Sequence, residues 1–141
     1  MNARDVAAGA CACTVGAVLH VAAVAKIIDS GPAQLWATAL PFGSQLGHTA
    51  VAVVIAIELI LGWCLLFGVA QRVAAGVAAV LFVLFGVVLL GWPPSGPGCP
   101  CFGSLSIWLA RTPPVLTDAA LAALALTAWF LSSERPSSSH A

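Results

Sequence analysis

The sequence predicts an all-α fold, a polytopic membrane protein built as a four-transmembrane-helix bundle, and three observations carry that prediction. Of 141 residues, 61% are hydrophobic and only 7% are charged, with a mean hydropathy of +1.05. Four apolar runs, 6–28, 49–70, 73–92 and 114–131, reach the roughly 20 residues that cross a bilayer. The breaks between them hold glycine, proline and polar residues. Five basic and five acidic residues cancel, so the chain has no basic footprint for nucleic acid, and the partner its surface calls for is membrane lipid. Residues 1–131 read as one four-helix domain and 132–141 as a disordered, serine-rich tail.

The first run follows Arg4 and contains Ala23-Val24-Ala25, which invites comparison with a signal peptide. Its apolar core continues past Lys26 to Ile28, longer than the about 7–15 residues of a signal sequence, so it is read as a retained helix. Cys11 follows too poor a lipobox for lipidation. Gly9, Cys13, Gly16 and His20 recur three or four apart, a stripe of small and mildly polar groups suited to packing on another helix. Cys11 and Cys13 point about 200° apart on a helix and read as buried small residues rather than a pair. His20 lies inside the span, where an ionisable group is a functional candidate; a neutral ring bonded to a neighbouring helix is the expected state.

Lys26 and Asp29 end this helix, and Ser30-Gly31-Pro32 breaks it. Residues 33–40 form a short apolar segment that Trp36 anchors in the interface, and Pro41-Phe42-Gly43 turns the chain into the second span. Glu58 sits near the middle of that span with Gly62 one turn on. A carboxylate there costs several kcal/mol unless protonated or paired, so Glu58 is expected to face the bundle, either as a proton relay or quinone contact or as a structural partner of His20 or Lys26. Quinone is the one cofactor this position suggests. Cys64 reads as a buried thiol.

Gln71-Arg72 is nearly the whole connection to the third span, predicting a tight antiparallel hairpin. Gly76, Ala79, Val83 and Gly86 give that span a face for close approach, and Gly91-Trp92-Pro93-Pro94 ends it. Thr112 before Pro113 suits a helix entry, and Asp118 near the start of the fourth span suits the helix dipole.

Between the third and fourth spans stands Gly98-Cys99-Pro100-Cys101-Phe102-Gly103. Two cysteines one residue apart are a redox pair or a soft-metal clip. A bridge between them would close a small strained ring, easily reduced. Pro100 disfavours helix at Cys99, and the flanking glycines allow the sharp turns that would hold the sulfurs close. With four spans, Arg4, Arg72 and Arg135 lie on one side and Lys26 and Arg111 on the other. That bias predicts cytoplasmic termini in a bacterial-type inner membrane, with the cysteine loop periplasmic or extracellular, where disulfides persist.

These residues resemble the MauE family of methylamine-utilisation membrane proteins, within the wider DoxX-like group of four-helix membrane proteins. Lys26 with Asp29, Pro41, Glu58 with Leu59 and Gly62, and Arg72 with Ala74 and Ala75 carry the likeness. Cys99, Cys101, Phe102 and Gly103 match the family's Cys-Gly-Cys-Phe-Gly signature, with Pro100 replacing its glycine; Thr112 stands where asparagine is usual. The resemblance implies a redox-associated membrane protein acting with a thioredoxin-like partner to mature disulfide-containing client proteins outside the cytoplasm, the methylamine dehydrogenase small subunit being the family's named client.

Thiol–disulfide exchange at Cys99 and Cys101, with Glu58 as a further catalytic candidate, is therefore the leading expectation. Lys26, His48 and Arg111 fall on the same side and would favour a thiolate, unless they only snorkel to the interface. Two other classes stand beside it: a Cu(I)-handling protein, which a single methionine and the lack of a histidine cluster disfavour, and a non-catalytic membrane scaffold.

Overall fold

The structure, a computed structural model, describes residues 2–39, 43–91 and 114–133. Five helices form: α1 (Ala3–Ile28), α2 (Gly31–Ala39), α3 (Gly43–Leu66), α4 (Gln71–Gly91) and α5 (Pro114–Ser133). Four of them carry stretches long and apolar enough to cross a bilayer, Ala3–Ile28, Leu46–Leu66, Gln71–Gly91 and Val115–Ser133. At 1.5 Å per residue the 21-residue stretches are about 31 Å long, matching the hydrocarbon core. Among the described residues there is no strand, as backbone groups in hydrocarbon require unless a sheet closes on itself.

The helices pack in the order α3, α1, α5, α4, with the α4–α5 and α1–α3 contacts the most extensive and α2 lying on α3. Short side chains set these approaches. Ala12, Ala75, Ala78, Ala79, Ala122, Ala125 and Ala128 are buried with Val15, Leu19, Leu61, Leu65, Phe82 and Leu121 in one core, while Val53, Ile60, Val80, Val87 and Phe130 point outward to lipid. The buried stripe of α1 runs through Ala8, Ala12, Val15, Leu19, Ala22 and Lys26. The small-residue stripe expected from sequence is thus displaced: Gly16 is in the seam, but Cys13 is exposed and Gly9 faces open space.

The link between α3 and α4 also differs from expectation. Helix α3 ends at Leu66, and the turn is residues 67–70, with Gly68 at φ +70° and Ala70 at φ 47°, both left-handed. Every residue of that turn is apolar, so hydropathy alone ran the second span through it. The two helices of this hairpin meet over the smallest of the main contacts, and α2 packs on α3. Gln71 Nε2 donates to the Ala8 carbonyl at 3.3 Å and Arg72 lies over the Trp129 ring, 5.7 Å from its centroid, which ties this end of α4 to α1 and α5.

Helices α1 and α3 approach closely between Gly16 and Gly62. A Cβ on Gly16 would stand 3.0 Å from the Gly62 carbonyl oxygen, and one on Gly62 would be 3.1 Å from the Gly16 oxygen and overlap the His20 ring. His20 Nδ1 donates to the Gly16 carbonyl of its own helix at 3.1 Å, rather than bonding to a neighbour. Gly62→Ala is expected to destabilise the bundle by about 1–3 kcal/mol, the cost of overpacking. Thermal unfolding in lipid–detergent micelles measures it. Because the obstacle is largely the imidazole, His20→Ala should recover part of the loss in the double variant; no recovery would place the strain in the backbone contact instead.

Candidate functional site

Three ionisable side chains are buried in the apolar interior, one from each of three spans. Lys26 comes from the last turn of α1, Glu58 from the middle of α3 and Asp118 from the start of α5, and they are 3%, 2% and 2% exposed. Lys26 Nζ donates to Glu58 Oε1 at 2.8 Å and to Oε2 at 2.9 Å, with a longer contact of 3.5 Å to the Ala22 carbonyl. Both lone carboxylate oxygens are therefore satisfied by one ammonium. Burial of either charge alone would be prohibitive; as a two-pronged pair, each offsets the desolvation of the other.

The sequence left Glu58 with two possible partners, and Lys26 is the one it takes. His20 is turned to its own helix backbone and to Trp63, whose ring lies 6.2 Å away. Lys26 does not snorkel to the interface: its stem runs inward along α1, and the ammonium is held below the surface by Glu58.

Asp118 is the member that sequence reasoning missed. It does not serve a helix N-terminus; it is one turn into α5 and turned inward, with Gly86 of α4 beside its Cβ and Lys26 the charged group acting on it. Its Oδ2 is fully buried and has no hydrogen-bond partner among the described residues. The signal that could have found it was in the sequence: an aspartate five residues into an apolar run is as costly there as Glu58, whatever the dipole offers.

Next to Lys26 a cavity of about 340 Å³ lies between α2, α3 and α4. Trp36 and Ala37 of α2, Val51 and Val54 of α3, and Leu81 and Phe85 of α4 are among its walls, and among the described residues Lys26 is the one charged side chain lining it. The apolar lining keeps water from the ion pair on that side, which lowers the local dielectric and strengthens the pair. Trp36, expected as an interface anchor, is half-buried on α2, whose Ala33 and Ala37 pack inward.

The cysteines separate into two groups. Cys11 and Cys64 are half-buried against the core and Cys13 is exposed, all without a disulfide. Cys99, Pro100, Cys101, Phe102, Gly103 and Arg111 lie outside the described residues, so the expected redox pair has no geometry here. The described ends that bracket them do have a place: α4 ends at Gly91 and α5 begins at Pro114, the ends that carry Gly86 and Asp118. His48, near the start of α3, is exposed. Among the described residues no group of three or more His, Cys, Asp or Glu side chains could hold a metal ion.

Comparison with known proteins gives one match. The family model described as methylamine utilisation protein MauE matches residues 4–131, nearly the whole chain. No curated protein and no solved structure matches.

Proposed function

The chain belongs to the MauE family of methylamine utilisation proteins, and from that premise we propose that it is a multi-pass membrane thiol–disulfide redox protein that supports the maturation of disulfide-containing clients with a thioredoxin-like partner. One observation carries the reading: Cys99-Pro100-Cys101-Phe102-Gly103 stands in the segment joining α4 to α5. A thiolate of one cysteine attacks the partner's disulfide, releasing a partner thiolate and forming a mixed disulfide. The second cysteine then displaces the partner's remaining sulfur, so the partner is reduced and the pair oxidised by two electrons. Run in reverse, the same steps oxidise the partner. Pro100 stiffens the pair and bears on which direction is favoured.

Burial of Lys26 supports an inner-membrane orientation with cytoplasmic termini. With that ammonium withdrawn into the bundle, the sequence leaves Arg4, Arg72 and Arg135 flanking the spans on the side of the termini and Arg111 on the other. The positive-inside rule then favours the outer face for the cysteine segment.

Labelling of intact cells with an impermeant maleimide, before and after reductant, tests both parts. Cys99 and Cys101 are expected to react only after reduction and from outside. Thiols that react equally without reductant would leave a scaffold in place of a redox protein, and labelling only from the cytoplasmic side would reverse the orientation.

A further inference from the structure

Among the described residues two carboxyls and one ammonium are buried here, so with all three ionised they carry one net negative charge. An uncompensated charge at that depth costs several kcal/mol on any insertion scale. One additional proton makes the site neutral, and the hydrogen bonds say where it goes. Glu58 has both oxygens on Lys26 Nζ, at 2.8 and 2.9 Å, and has no room for a proton without losing one of them. Asp118 Oδ2 is buried and has no acceptor or donor opposite it among the described residues.

We propose that Lys26, Glu58 and Asp118 form a proton-binding site inside the membrane, with the proton held on Asp118 and exchangeable with Glu58 through the Lys26 ammonium. The ligand is the proton itself. Lys26 is the switch: its charge acts on Asp118, so the ammonium can leave one of its protons on Glu58, turn to Asp118 and take up the Asp118 proton at Nζ, which ends with Glu58 protonated, Asp118 ionised and Lys26 again an ammonium. No bonds other than O–H and N–H form or break, and the charge of the site is the same before and after. Of the other charged groups on the packed helices, Asp29 caps the end of α1 and accepts from the Gly31 N–H at 3.2 Å, and Arg72 lies with Trp129 at the opposite end of α4 and α5. The inference does not depend on the thiol chemistry above, and its test does not measure it.

The test is infrared spectroscopy of the full-length protein in lipid bilayers at neutral pH, in H₂O and D₂O, reading the carbonyl stretch that a protonated carboxyl has and a carboxylate lacks. The wild type should show a band of one carboxyl that shifts on deuteration. Asp118→Asn should lose it, and so should Glu58→Gln, because Lys26 then neutralises Asp118 as a carboxylate. Lys26→Met should double its area, both carboxyls now holding protons. A wild type without the band, or a band that survives Asp118→Asn, overturns the assignment. A band that survives Glu58→Gln, or fails to grow in Lys26→Met, overturns the exchange through Lys26.

Discussion

Glu58→Leu is expected to destabilise the bundle by about 3–5 kcal/mol, the cost of removing one partner of a buried ion pair. The ammonium of Lys26 keeps its burial and loses two short hydrogen bonds, at 2.8 and 2.9 Å. Asp118, the other carboxyl near it, gives some relief, so the loss belongs at the low end of that range. Glu58→Gln keeps an oxygen to accept from Lys26 and should fold and express near the wild-type level. Lys26→Met combined with Glu58→Leu replaces both charges by apolar groups of similar volume and should recover most of the stability. Unfolding midpoints of the four proteins in lipid–detergent micelles decide it: equal midpoints for wild type and Glu58→Leu would remove any structural role for the pair.

Loss of thiol exchange should be complete in the Cys99→Ser, Cys101→Ser double variant, while either single variant should accumulate a mixed disulfide with a thioredoxin-like protein. The remaining sulfur can attack, but nothing resolves the product. The other three cysteines cannot stand in. Cys11 lies 15 residues before Lys26 on one helix, about 22 Å along its axis at 1.5 Å per residue. Cys64 is at the same distant end, near the turn into α4. Changing Cys11, Cys13 and Cys64 together to alanine is therefore expected to leave exchange intact. Non-reducing gels of trapped cells read all four variants, and unimpaired client maturation in the double variant would end the redox reading.

The spans were legible because hydropathy is a property of a run, and runs are what a sequence displays. The third was expected at 73–92 and is Gln71–Gly91. Helix α2 was also foreshadowed, by an apolar segment around Trp36, though not its inward-packed alanines. Depth and facing were less legible. Lys26 is two residues from the end of α1, a position from which a lysine usually reaches water, and only the placement of Glu58 on a separate helix turns it inward. Asp118 is the same case: proximity to a helix start suggested the dipole, but the packing of α5 against α4 and α1 decides that its side is the inside. Hydropathy could not divide 67–70 from α3, because a left-handed turn at Gly68 and Ala70 changes direction without changing polarity.

The alanines along the helix seams have a consequence for how this sequence can drift. In a soluble protein an interior position tolerates exchange among apolar residues of like volume, and the exterior is the permissive side chemically. Here both sides are apolar, and the constraint is on size. Ala75, Ala78, Ala125 and Ala128 have no exposed surface, so even valine at one of them adds two methyl groups where helix backbones meet, and overpacking costs about 1–3 kcal/mol. Outward residues such as Val80, Val87 and Ile60 meet fluid hydrocarbon, which accommodates leucine, isoleucine or phenylalanine alike. A library of variants should therefore sort by volume on the seam and by polarity alone on the lipid face, the mutational record of a fold that is held together by the shortness of its side chains.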